Sequence, residues 1–253
     1  MSAASYPSLS ARVVFITGGG SGIGAAMVEA FAAQGAHVAF VDILEEESKK
    51  LSERLGALGL TTRFIGCDVT NLSALAAAMA ETKAQLGPIE VLINNAGNDW
   101  RHAADEVTED LWDRTLALNL KHQFFAAQEA RKEMRERGGG SIVNFSSIAW
   151  MRGAPRLSVY ATAKAGVVGL TNSLAREFGP DNIRVNAIAP GAVITERQRR
   201  LWFDEEDIRG IVERQCVSRV LVAEDVARLA LFLAADDSAM ITKQCIVIDG
   251  GLR

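Results

Sequence analysis

Val13-Val14-Phe15-Ile16-Thr17-Gly18-Gly19-Gly20-Ser21-Gly22-Ile23-Gly24 decides the fold, and a pattern of helical period follows it from Ala25. A short apolar, β-branched run reads as a buried strand, and the glycines after it let the chain turn sharply into a helix. Such a turn brings free backbone N–H groups and the positive end of a helix dipole to one edge of a sheet, a good seat for a pyrophosphate. A tight turn without a ligand uses the same residues. The placement between strand and helix favours the dinucleotide reading, with Gly18, Ser21, Gly22 and Ile23 as the cradle.

Outward from this stretch, short apolar runs alternate with longer amphipathic ones. The runs Arg12–Thr17, His37–Val41, Arg63–Cys67, Ile89–Ile93, Ser141–Phe145, Arg184–Ala189 and Gln244–Ile248 predict strands. Between them, Gly22–Gln34, Leu44–Ala57, Leu72–Leu86, Glu109–Arg137, Val159–Phe178 and Glu224–Ala234 predict helices. This alternation implies an α/β fold of the Rossmann type: a doubly wound, seven-stranded parallel sheet with helices on both faces, a single domain over residues 1–253. Two stretches break the rhythm, Asn94–Thr108 and Pro190–Gln215; the second reads as a long connection that covers a ligand.

With 253 residues, 49% of them hydrophobic, the chain can bury one large core. A net charge of -4 and no basic block exclude nucleic acid and anionic membranes as natural partners. Met1–Leu9 lacks the basic start of a signal peptide and no apolar stretch reaches spanning length, so the expectation is a cytoplasmic protein. Cys67, Cys216 and Cys245 are widely spaced and odd in number, which suits reduced thiols, and His37, His102 and His122 have no metal-ligand spacing with them; no metal site is expected.

The second strand ends at Asp42, about twenty residues beyond the glycines, where a carboxylate accepts hydrogen bonds from an adenosine ribose. A helix cap is the alternative role. A 2′-phosphate at ~4 Å from that carboxylate is disfavoured by on the order of 4 kcal/mol at an effective dielectric of 20, and Gly20 and Ser21 bring no offsetting cation. NAD is therefore expected over NADP. Asp68, at the end of the third strand, is either an adenine contact or a cap for the helix after Asn71.

Tyr160 and Lys164 lie four residues apart in a helical stretch, so both project from one face. Alone, the pair is an ordinary solvated surface. A phenol of pKa about 10 must fall by about three units to act near neutrality, roughly 4 kcal/mol, and one ammonium about 4 Å away supplies that amount at an effective dielectric of 20. Upstream, Asn144-Phe145-Ser146-Ser147 closes a strand and offers a hydroxyl at its carboxyl end.

Taken together, Thr17-Gly18…Gly22-Ile23-Gly24, Asn94-Asn95-Ala96-Gly97, Asn119, Ser147, Tyr160…Lys164 and Pro190-Gly191…Thr195 closely resemble the short-chain dehydrogenase/reductase superfamily, in order and spacing along nearly the whole chain. The resemblance implies that Tyr160 is the acid/base, that Lys164 lowers its pKa and holds the nicotinamide ribose, and that Ser147 orients the substrate oxygen. It implies that Asn119 anchors a water on a proton path, unless it merely kinks a buried helix. Asn95, Asp68 with Val69, and Pro190, Val193 and Thr195 are the further cofactor contacts that it implies. A homotetramer is the implied assembly; Val167-Val168-Leu170 is compatible with subunit contacts and equally with sheet-facing core. Lys243 departs from the pattern, since glycine is usual before the last strand.

Substrate must be read from the variable loops. Asn98, Asp99, Arg101 and His102 follow the fourth strand, Trp150 and Arg152 follow Ser147, and Gln198 follows Thr195. A sugar needs several donors and acceptors and one aromatic face, whereas a steroid or acyl chain needs apolar lining. Any one of these residues is more simply a solvated loop residue. Asn94–Asn98 with Arg101-His102, Asn144-Phe145 through Trp150, and Arg197-Gln198 also resemble bacterial NAD-dependent aldose 1-dehydrogenases of the D-xylose group. That likeness implies oxidation of a free aldose at C1 to a lactone. The alternatives are another short-chain alcohol dehydrogenase or 3-oxoacyl reductase, or a non-catalytic NAD-binding sensor.

Overall fold

A computed structural model describes residues 4–253, so the first three residues of the Met1–Leu9 stretch lie outside it. Seven strands form one parallel sheet: β1 (Val13–Thr17), β2 (His37–Asp42), β3 (Thr62–Gly66), β4 (Val91–Asn94), β5 (Gly140–Phe145), β6 (Ile183–Pro190) and β7 (Cys245–Ile248). Their order is β3-β2-β1-β4-β5-β6-β7. Strand side chains alternate between faces, so Val14 and Ile16 of β1 enter one core while Val13 and Phe15 enter the other. The first core is closed by α1 (Gly22–Ala33), α2 (Glu45–Ala57) and, late in the chain, the helix Ala223–Ala234. The second is closed by α3 (Leu72–Leu86) and by two later helices introduced below.

The order reverses between β1 and β4, where Thr17 pairs with Asn94. In doubly wound sheets the crevice for ligands opens at the carboxyl ends of the strands at that switch.

The helix expected over Glu109–Arg137 is divided into α4 (Glu109–Leu116), a π-helical segment Ala117–Lys121 and α5 (His122–Glu136). Chain segments expected to be loop also fold: α6 (Ala149–Arg152) follows Ser147, and α8 (Glu196–Leu201) and α9 (Glu205–Arg214) occupy the Pro190–Gln215 connection, before α10 (Ala223–Ala234). Between them α7 (Ser158–Phe178) carries Tyr160 and Lys164. It is fixed to the sheet by a buried polar ladder, in which the Asn94 amide donates to Asn144 Oδ1 (2.9 Å) and the Asn144 amide to Thr171 Oγ1 (3.0 Å). Val167 is fully buried, and Leu170, half-buried, packs on the second core. No helix among the described residues is long and apolar enough to cross a membrane.

Candidate active site

The glycine loop is as tight as its sequence demands. Gly18 sits at φ +68°, and a Cβ added to Gly24 would lie 1.8 Å from the Gly18 carbonyl oxygen. Asn95 braces the loop from β4: its amide donates to the Thr17 and Gly18 carbonyls (3.1 and 2.8 Å), and Thr17 Oγ1 accepts from the Asn95 and Ala96 N–H groups. Asn95 thus braces the loop through its amide nitrogen. At α1 the N-cap Ser21 makes no side-chain cap, which leaves the first helical N–H groups unclaimed beside three glycines. A Cβ added to Gly22 would lie 3.3 Å from Thr195 Cγ2, so the segment after β6 lies close against the loop. The Gly18 and Gly19 N–H groups are spent on the Val41 carbonyl and that of Gly20 on Asp42, so it is the free N–H groups of the first turn of α1 that fit a dinucleotide pyrophosphate.

Asp42 does not cap α2. Its Oδ2 accepts from Gly20 N–H at 2.8 Å and its Oδ1 from Leu44 N–H at 3.0 Å, so it ties the glycine loop to β2 at the edge where a ribose would lie. Asp68 is not a helix cap either; it accepts from the Thr70 N–H and hydroxyl, while Asn71 caps α3 through Ala74 N–H. Val69 is buried beside it. Pro190 ends β6, Val193 bridges to Leu221, and Thr195 caps α8 by accepting from Gln198 N–H.

Across the crevice, Lys164 is 3% exposed and donates to the Phe145 carbonyl at 2.9 Å. Its Nζ lies 5.6 Å from the centre of the Tyr160 ring. Asn119 is fully buried in the π segment; its Oδ1 accepts from Asn98 N–H at 3.1 Å and its amide donates to the Thr115 carbonyl. A Cβ on Gly97 would lie 2.7 Å from Asn119 Oδ1 and 3.3 Å from Lys164 Nζ, so glycine there lets the two groups face each other. Ser146 is structural: its hydroxyl donates to the Lys164 carbonyl and accepts from the Trp150 indole. Ser147 accepts from Ala149 N–H and stands beside the Tyr160 hydroxyl.

The electrostatics correct the expectation that Lys164 alone acidifies Tyr160. Burial pushes the phenol up to about 12, only partly offset by the Ser147 hydroxyl, and pushes the Lys164 ammonium down to about 7. A crevice that strips water from both groups favours their neutral forms, and one of the amine's hydrogen bonds goes to the Phe145 carbonyl.

On the substrate side, Asp99 is held by α8: Arg197 Nη1 donates to its Oδ1 (2.8 Å) and Gln198 Nε2 to its Oδ2 (2.9 Å). The Arg101 guanidinium lies 4.5 Å from the Trp202 ring centre, and Trp202 packs edge-on to Trp100. His102 is half-buried and fixed through its N–H to the Arg156 carbonyl. Trp150 is 36% exposed with its indole committed to Ser146. Arg152 is exposed at the end of α6 and makes no side-chain hydrogen bond among the described residues, so the structure does not bring it to the cluster. Arg197 as the partner of Asp99, and Trp202 altogether, were missed by sequence reasoning. Thr195-Glu196-Arg197-Gln198 has the spacing of a capping box, a signal that points to α8.

A cleft of about 530 Å³ lies at the opposite, amino edge of the sheet. Its arginines are already matched, Arg12 to Asp236, Arg137 to Glu90, and Arg184 to the carbonyls of Ala234, Ala235 and Ile241.

A glycine cradle at the sheet's switch point, with Ser147, Tyr160, Lys164 and Asn119 gathered across from it, defines an oxidoreductase site of the short-chain dehydrogenase/reductase type. A family profile described as enoyl-(acyl carrier protein) reductase matches residues 18–253. The chain belongs to the short-chain dehydrogenase/reductase family, whose members typically work with NAD or NADP. It is 55% identical to a Rhizobium meliloti protein named probable galactose dehydrogenase, over 98% of this chain and 97% of that one. It is 46% identical to the D-xylose 1-dehydrogenase of Caulobacter vibrioides over the full length of both. Among solved structures, a Serratia marcescens short-chain dehydrogenase/reductase superposes with a TM-score of 0.90 at 32% identity, covering 97% of this chain and 99% of that one.

Proposed function

We propose that the protein oxidises the anomeric hydroxyl of a free aldose, with NAD as hydride acceptor, to the aldonolactone. The observation that carries this reading is full-length similarity to two sugar dehydrogenases, combined with a wall in which Asp99, Arg101, Arg197 and Gln198 stand among the rings of Trp100 and Trp202. Asp42 supports NAD over NADP, because its carboxylate stands at the ribose edge with no cation beside it.

Bound against the glycine loop, NAD would supply a hydride-accepting nicotinamide ring whose positive charge favours an anionic Tyr160. Tyr160, as phenolate, takes the proton of the C1 hydroxyl, and Ser147 holds the same oxygen in line. Lys164 holds the nicotinamide ribose and, charged, stabilises the phenolate. The proton then leaves past Lys164 toward Asn119, whose Oδ1 faces the lysine across Gly97. Gly18, Ser21, Gly22 and Ile23 hold the pyrophosphate, Asp68 and Val69 the adenine, and Pro190, Val193 and Thr195 the carboxamide end. A homotetrameric, cytoplasmic enzyme completes the proposal.

The test is a panel of pentoses, hexoses and simple secondary alcohols with each cofactor, followed by NADH appearance and acid release from the opening lactone. An aldose turned over with NAD far better than any simple alcohol is expected, and Tyr160→Phe should reduce kcat by ~10²–10⁴ while NAD still binds. Turnover of a hydroxysteroid or 3-hydroxyacyl thioester with no aldose oxidised, or a tenfold preference for NADP, would overturn it.

A further inference from the structure

Four side-chain polar atoms on the substrate side are buried and have no hydrogen-bond partner among the described residues: Arg101 Nε, Arg197 Nη2, Gln198 Oε1 and Trp202 Nε1. Buried polar atoms are nearly always paired, so a group of them beside a crevice marks where a ligand's polar atoms belong. Two of these atoms have a fixed relation. Asp99 binds Arg197 through one carboxylate oxygen and Gln198 through the other, which sets the two head groups side by side. A carboxylate only accepts, so the Gln198 amide nitrogen must face it and the amide oxygen must face away. A free donor and a free acceptor therefore stand as neighbours on one rigid support.

That support does not swing freely. Thr195 caps α8, Arg197 lies over Trp100 at 5.6 Å, and Arg101 is stacked between Trp202 (4.5 Å) and Phe203 (5.5 Å). The pair stands at the crevice by geometry: Asn98, the neighbour of Asp99, donates its N–H to Asn119 Oδ1, and Thr195, which caps α8, lies 3.3 Å from where a Cβ on Gly22 would stand.

We infer that Arg197 and Gln198, held by Asp99, are the specificity-determining pair of the site and take a vicinal diol of the substrate, one hydroxyl accepting from Arg197 Nη2 and its neighbour donating to Gln198 Oε1. An acyl chain or steroid face would bury both atoms against C–H groups. Asp99, expected from sequence to touch substrate, is in this arrangement the residue that positions the two that do. The inference rests on the sugar reading for the identity of the substrate and not for the diol contact, which a linear polyol makes equally.

The experiment compares the best aldose, its monodeoxy analogues and threitol in the unaltered protein and in Arg197→Met, Gln198→Ala and Asp99→Asn, with NAD affinity as the check on folding. In the unaltered protein, loss of either of two adjacent hydroxyls should lower kcat/KM at least tenfold, chiefly through KM. In Arg197→Met the penalty for one hydroxyl should fall toward onefold, in Gln198→Ala that for its neighbour, and Asp99→Asn should weaken both. Arg197→Lys should restore part of the first. If aldoses are oxidised and both penalties persist in the variants, or if only one hydroxyl ever matters, the diol pair is wrong while the aldose reading stands. If threitol but no aldose is oxidised and the penalties for removing either of two adjacent hydroxyls other than the one oxidised collapse in the variants, the aldose reading falls and the pair stands.

Discussion

The two walls of the crevice are built from different materials. The wall between β1 and α1 is backbone: a Cβ on Gly24 would strike the Gly18 carbonyl, and one on Gly20 would lie 2.3 Å from Ser48 Oγ. The facing wall, from Asp99 to Trp202, is long side chains that hold one another by an ion pair, an amide contact and cation–π stacking. A backbone wall has one shape, suited to the cofactor that every turnover shares. A side-chain wall changes one residue at a time, so it is the part able to set which alcohol enters.

Substitution should therefore be catastrophic on one wall and graded on the other. Gly24→Ala should lower dinucleotide affinity by ~100-fold, ~2.7 kcal/mol, because the new methyl group overlaps a carbonyl that the loop cannot move. Calorimetric titration with NAD checks it, and wild-type affinity would dissolve the contrast between the walls. A smaller effect is expected behind Lys164, at His122. This imidazole is fully buried, and burial followed by the nearby Lys164 charge pushes its pKa down to about 3. The unfolded chain takes up its proton near pH 6.5, so unfolding binds a proton throughout the window between these values. Stability should thus fall as pH drops from about 6.5 toward 3, and His122→Leu should flatten that slope in thermal melts. An identical slope in the variant would show that another group carries it.

The smallest effect concerns backbone constraint away from the crevice. Lys243 sits at φ +65°, a left-handed conformation that costs an L-residue roughly 1–2 kcal/mol. Glycine removes that cost and adds back roughly 0.5–1 kcal/mol of unfolded-state freedom. Lys243→Gly should raise Tm slightly with kcat/KM unchanged; a lower Tm would mean that the lysine side chain makes up for its backbone.

How much of this was legible depended on the material as well. Strands and glycine loop were readable because strands buried on both faces are continuous apolar runs and the conformational demands of Gly18 and Gly24 are written residue by residue. The turn where glycine was missed, at Lys243, also kept its left-handed geometry, with Lys243 N–H bonded to the Val185 carbonyl. The substrate wall was only half legible. Asp99, Arg101 and Gln198 were singled out for polarity, but polarity does not say that Asp99 faces α8. Helices α8 and α9 were hidden in a charged stretch whose apolar period is too short to show; only their caps, Thr195 and Asp204, mark them. The Tyr160–Lys164 spacing could be read from the sequence, whereas burial, which pushes the phenol up and the ammonium down, is a property of the folded crevice and could not.

The π segment Ala117–Lys121 sets a further condition on the chain, one of count rather than kind. A π turn holds one residue more than the α-helical path it replaces, and each residue turns a helix by about 100°. Removing any one of the five would let α4 and α5 heal into a regular helix. The register would then slip, carrying either Asn119 off the Asn98 N–H or the buried face of Ala126, Ala127, Ala130 and Met134 out of the core. Asn119 apart, a change of side chain in this passage leaves the register in place, whereas a deletion or insertion of one residue breaks it as surely as losing Asn119 itself.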